Sequence, residues 1–149
     1  MSAFRLPTAE ITEPFFRVRT SKPHRNSPDK RDGMDRGYLD KFEGLSCCIP
    51  DCRSFHGVVA HHCRFLDPHR AKGKKPLDKT AVPLCALHHG YSADGVHHVG
   101  TRQERAWFLA RGVNALDLAT ALWLNSHNVE RMLGVLEAHW DKPFLDRGR

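Results

Sequence analysis

Residues 47–52 read Cys47-Cys48-Ile49-Pro50-Asp51-Cys52, and residues 83–89 read Pro83-Leu84-Cys85-Ala86-Leu87-His88-His89. A structural zinc ion takes four thiolate or imidazole ligands, commonly two from each of two local turns. Cys48-x3-Cys52 and Cys85-x2-His88 supply such a pair of half-sites. Cys47 is an alternative to Cys48, because C-x4-C turns also occur. A closed site of this kind contributes folding free energy directly, which a small chain with a loop-rich middle needs. The expected structural zinc ligands are Cys48 (or Cys47), Cys52, Cys85 and His88.

Between the half-sites, Val58-Val59-Ala60-His61-His62 carries a β-branched run and predicts a strand that ends in two histidines. Ala81-Val82-Pro83-Leu84 predicts a second short strand or an extended lead-in to Cys85, with a helix starting there. The intervening Asp67–Pro76 stretch holds Lys72, Lys74 and Lys75 among prolines and glycine, and reads as a basic loop. Upstream, Tyr38, Leu39, Phe42 and Leu45 recur at helical spacing. Downstream, Thr101-x-x-Glu104 has the form of a capping box opening a helix through Trp107, Phe108 and Leu109, and Gly112 stands where a glycine cap closes one. Asn114 predicts the cap of a helix with Leu116, Ala119, Leu122 and Trp123 as its buried stripe. A third helix reads from about Asn128 to Trp140, with Val129, Met132, Leu133, Leu136 and Trp140 on one face. The fold class that follows is α+β. A single domain over 35–140 is expected, after a basic, mostly disordered arm over 1–34 and before a tail over 141–149.

The chain's 149 residues, 40% of them hydrophobic, can fill one modest core. Its +6 net charge and pI near 9.3 suit a polyanionic partner, and Lys72, Lys74 and Lys75 with the arm are candidate phosphate contacts. No apolar stretch approaches a membrane span and the N-terminus lacks the apolar core of a secretory signal, so a cytoplasmic protein is expected. Five cysteines clustered with histidines fit metal binding better than a disulfide framework.

His61, His62 and His89 remain unexplained by a structural zinc. A neutral imidazole is suited to take a proton from water, and a divalent ion can stabilise charge developing on a phosphodiester. Adjacent strand residues point to opposite faces, so His61 and His62 can serve one site only if the strand ends or twists there.

The cysteine pair of turns, Ala60-His61-His62, Gly73-Lys74-Lys75-Pro76-Leu77-Asp78, and Glu104-Arg105-Ala106-Trp107-Phe108 together resemble the HNH endonucleases of phages and prophages, in particular the branch related to the RecA-dependent phage nuclease. That resemblance covers about residues 37 to 124. It implies a ββα-metal fold, in which a hairpin and a helix grip one catalytic metal (Mg2+, Mn2+ or Zn2+) beside a structural zinc. By position, His61 and His89 would hold the catalytic metal, His62 would be the general base, and Asp78 would orient it through a hydrogen bond. His97 or His98 is a further candidate ligand. The implied substrate is DNA, with low intrinsic sequence preference, and a recombinase filament is a candidate partner. Two other classes use the same cysteines and charge: a zinc-stabilised nucleic-acid-binding module without catalysis, and a zinc-braced interaction protein of a mobile element.

Overall fold

The computed structural model describes residues 33–68 and 73–142. Most of the expected basic arm, Lys72 of the basic loop and the tail from residue 143 therefore lie outside the described residues. The last two residues assigned to the arm belong to the folded unit: Gly33 is buried, and its carbonyl accepts a hydrogen bond from the Lys79 amide at 3.1 Å.

The fold is α+β. Helix α1 (Arg36–Asp40) is capped by Asp35, whose carboxylate accepts from the Tyr38 amide, and passes directly into a 3-10 turn over Lys41–Gly44. Tyr38, Phe42 and Leu45 are buried as the helical spacing predicts, with Tyr38 edge-on to both Phe42 and Trp123 at 5.0 Å. Strands β1 (Val59–His62) and β2 (Ala81–Leu84) form an antiparallel hairpin with His61 opposite Val82 and His62 opposite Ala81. A two-stranded sheet leaves outer edges free, which is why Pro83 is tolerated within β2. Its carbonyl accepts the amide of Cys48 at 2.9 Å and ties the first cysteine turn to the sheet.

After β2 come two very short helices, α2 (Ala86–His89) and α3 (Val96–Val99), joined by the loop Gly90–Gly95. A Cβ placed on Gly95 would lie 1.9 Å from the Gly90 carbonyl oxygen, so the two ends of this loop meet closer than any side chain permits. The chain thus turns back on itself instead of extending α2.

Helices α4 (Glu104–Ala110), α5 (Ala115–Leu124) and α6 (Val129–Asp141) complete the unit. The expected capping box at Thr101 does not form. The N-cap of α4 is Gln103 without a side-chain bond, because Glu104 turns inward to an imidazole. The far end of α4 closes as expected: Gly112 adopts φ +76°, and the Gly112 and Val113 amides reach the carbonyls of Leu109 and Phe108. Asn114 and Asn128 cap α5 and α6 through their side-chain oxygens. On α5 the buried stripe is Ala115, Leu118, Ala119 and Leu122; Leu116, expected inside, is exposed. Met132 and Leu136 of α6 are buried, with Val129, Leu133 and Trp140 packed at the margin. Among the described residues no helix is long and apolar enough to cross a membrane.

Candidate metal centres

The four-ligand cluster the sequence predicts is formed, with one exchange. Cys47, Cys52, Cys85 and His88 converge, and Cys48 does not. The backbone decides between the adjacent cysteines. The Cys47 amide bonds the Ser54 carbonyl across its own turn, while the Cys48 amide bonds Pro83 of β2, and the Cys48 carbonyl accepts from Trp140 Nε1 at 3.2 Å. Cys48 is thereby held in the core, where burial keeps its thiol well above its ordinary pKa and neutral. The chain closes the turn at Arg53 in the left-handed region (φ 51°), with its Nε donating to the Pro50 carbonyl and its guanidinium over the Trp140 ring.

The distances are those of a tetrahedral four-ligand metal site, for which zinc gives the scale. A tetrahedron with Zn–S of about 2.3 Å and Zn–N of about 2.05 Å has S···S edges of about 3.8 Å and S···N edges of about 3.6 Å. Cys52 Sγ and Cys85 Sγ are 3.8 Å apart, Cys47 Sγ and His88 Nδ1 3.6 Å, and Cys85 Sγ and His88 Nδ1 3.3 Å. A disulfide would bring sulfurs to about 2.05 Å, so these are separate thiols held at ligand spacing. Burial opposes ionisation at Cys85, but the amides of His88 and Leu87 and the thiols of Cys52 and Cys47 outweigh it and hold the thiol below its usual value. Cys47 is the opposite case: burial pushes it up to about 12 in the absence of a cation, so its thiolate form needs the metal.

A second constellation lies on the other side of α2, in a cleft of about 270 Å³ lined by His61, His62, Arg64, His89, His97 and Glu104 among others. His89 at the end of α2 and His97 in α3 bring their Nε2 atoms to 3.2 Å, and His61 completes a three-histidine group with them. Two imidazole nitrogens on one divalent ion stand about 2.9 Å apart at a right angle and about 3.3 Å apart in a tetrahedron, so the pair is spaced for a shared metal. Burial, with His61 and His97 alongside, lowers His89 to about 4, which keeps it neutral and available as a ligand. Of the two further histidine candidates, His97 joins the group and His98 stays exposed outside it.

His62 is the last residue of β1, and it faces a different partner from His61. Its Nε2 is 2.9 Å from Asp78 Oδ1, and the other oxygen of Asp78 accepts the Asp35 amide at 2.9 Å. A carboxylate accepts only, so Nε2 carries the proton and Nδ1 keeps its lone pair. Asp78 is buried beneath this contact and has Lys75 at 3.7 Å. Burial lowers the His62 pKa against the raising influence of Asp78, leaving a neutral imidazole at physiological pH. The ending of the strand reconciles the two neighbours: both residues line the same cleft although they bond different partners, His61 to Glu104 and His62 to Asp78.

Lys74 and Lys75 are exposed on the approach to the cleft wall at Pro76. Two charged residues of the cleft, Arg64 and Glu104, are not site candidates in the sequence reading. Arg64, in the 3-10 turn after β1, lines it and is exposed. Glu104 is buried with its Oε1 2.5 Å from His61 Nε2. The capping-box pattern already accounts for a glutamate at that spacing, so nothing local signals its inward turn. Comparison with known proteins finds no family model, no curated protein and no solved structure that matches the chain.

Proposed function

We propose that the chain is a metal-dependent endonuclease of HNH type that hydrolyses DNA phosphodiester bonds. The observation that carries this reading is the juxtaposition, in one open cleft, of a three-histidine group (His61, His89, His97) with a carboxylate-oriented imidazole (His62 on Asp78). A zinc-braced binding module or interaction protein needs neither. A divalent cation held by the three histidines would supply Lewis-acid stabilisation of charge on the phosphate and the departing oxygen. His62 Nδ1 takes the proton of the attacking water, and Asp78 stabilises the imidazolium that forms. Arg64 and the exposed Lys74 and Lys75 provide positive charge for the phosphate backbone, which gives affinity without reading sequence. The zinc cluster keeps α2 in place beside the hairpin.

Plasmid nicking and single-stranded DNA cleavage with Mg2+ or Mn2+, with and without chelator, test the reading. Metal-dependent cutting that a chelator abolishes is the expected result. Tight DNA binding without cleavage under any divalent ion would overturn it in favour of the non-catalytic module.

A further inference from the structure

Glu104 is a buried carboxylate that the proposed hydrolysis does not use. It sits at the first position of α4, yet it neither caps the helix nor meets solvent. Its Oε1 lies 2.5 Å from His61 Nε2. Two ligands of one divalent ion, each about 2.1 Å from it, would be at least about 2.9 Å apart at ordinary coordination angles. At 2.5 Å the contact is shorter than that spacing and nearer to the roughly 2.7–2.9 Å of a charge-assisted N–H···O bond, which is how we read it. The groupings agree with this. Glu104 clusters with His61 and Cys63, whereas His89 and His97 cluster with His61, and only the His61 imidazole belongs to both sets.

Resting on the metal-centre reading above, we infer that Glu104 is the positioning residue of that centre: it accepts the Nε2 proton of His61, fixes the ring, and leaves Nδ1 as the atom that meets the cation. A carboxylate can only accept, so the contact selects one tautomer of His61. A carboxylate behind a ligating histidine also raises the ligand's basicity and holds its orientation. Because Glu104 opens α4, the third wall of the cleft is tied to the hairpin through this bond. The neighbouring Cys63 is a bystander. Burial holds its thiol well above the ordinary value, and no part of the three-histidine group depends on it.

The test reads metal binding, not cleavage. Full-length protein with its zinc retained is titrated with Co2+ or Mn2+, and the affinity of the second site is compared among wild type, Glu104→Gln, Glu104→Asp and Cys63→Ala. Loss of an outer carboxylate partner typically weakens metal binding by about 10- to 100-fold, so Glu104→Gln should fall by that much with zinc content unchanged. Glu104→Asp, which keeps the charge but withdraws it by one methylene, should lie between, and it decides the matter if the glutamine variant does not fold. Cys63→Ala should bind like wild type. A long-range 1H–15N spectrum of protein loaded with diamagnetic Cd2+ should show His61 protonated at Nε2 and metal-bound at Nδ1. Wild-type affinity in both Glu104 variants overturns the assignment, as does equal loss in Cys63→Ala or metal at His61 Nε2. A wild type that takes up no second metal overturns the centre and the assignment together. Because affinity is the readout, a wild type that binds metal without cutting DNA bears on the nuclease reading alone.

Discussion

Gly95→Ala is the sharpest single perturbation of the cleft, because it acts on geometry and removes no ligand. The added Cβ would stand 1.9 Å from the Gly90 carbonyl oxygen, against the 3.0 Å below which such contacts essentially do not occur, so the loop must open by about 1.1 Å. The obstacle is backbone, so no side-chain rotation relieves it. Overpacking of this kind typically costs about 1–3 kcal/mol of stability. Its larger effect falls on placement. The loop sets the distance between α2 and α3, and with it the 3.2 Å between His89 and His97. An error of about 1 Å in a reacting constellation can cost about 10² in rate. Zinc should be untouched, since Cys85 and His88 precede the loop. The expected outcome is one equivalent of zinc by elemental analysis, a lower melting temperature, second-site Co2+ binding weakened at least tenfold, and cleavage reduced about a hundredfold. Wild-type second-site affinity in folded Gly95→Ala protein would refute the claim that this loop sets the metal spacing.

Cys47→Ser should lose zinc and most of its thermal stability, whereas Cys48→Ser should keep a full equivalent of zinc; elemental analysis on both separates ligand from core residue. His62→Ala should lower the cleavage rate by about 10² to 10⁴ while zinc, second-metal affinity and DNA affinity persist, and cleavage at the wild-type rate would sink the base assignment. Because burial lowers the His62 pKa and the base must be neutral, wild-type cleavage should rise with pH through a point below the ordinary 6.5 and then level off. An inflection well above 6.5 would contradict the environment of His62. Replacing both Lys74 and Lys75 with Ala should weaken DNA binding at every sequence and reduce the salt slope by about one to two, checked by titration at several ionic strengths.

The first strand, the Asn114 cap, the Gly112 stop and the ligand types were legible in the sequence because each rests on local chemistry. The run Val59–His62, the cap Asn114, the start of the last helix near Asn128, and the glycine stop at Gly112 depend on residues a few positions apart. Cys47 and Cys48 could not be told apart by spacing, since both close a plausible turn. The choice is made by Pro83 and Trp140, 35 and 92 residues from Cys48, whose hydrogen bonds engage the Cys48 backbone. His97 was visible only as one of two, because its selection depends on a loop doubling back at Gly95. Glu104 was misread for a related reason: the local pattern offered a sufficient explanation, and a buried imidazole 43 residues away outcompeted it. Leu116 fell outside the buried face because α5 turns Ala115 and Leu118 inward instead.

Helix α2 is four residues long, far below the length at which a helix holds itself together. Cys85 at its cap and His88 belong to one candidate ligand cluster, and His89 belongs to the other. Consecutive helical positions differ by about 100° around the axis, so neighbouring histidines look into different compartments without any further device. The segment therefore behaves as a shared wall between two rooms. One residue inserted or deleted between Cys85 and His89 would swing both sets of donors at once, so this stretch should tolerate substitution on its exposed face at Ala86 and Leu87 but no change in length.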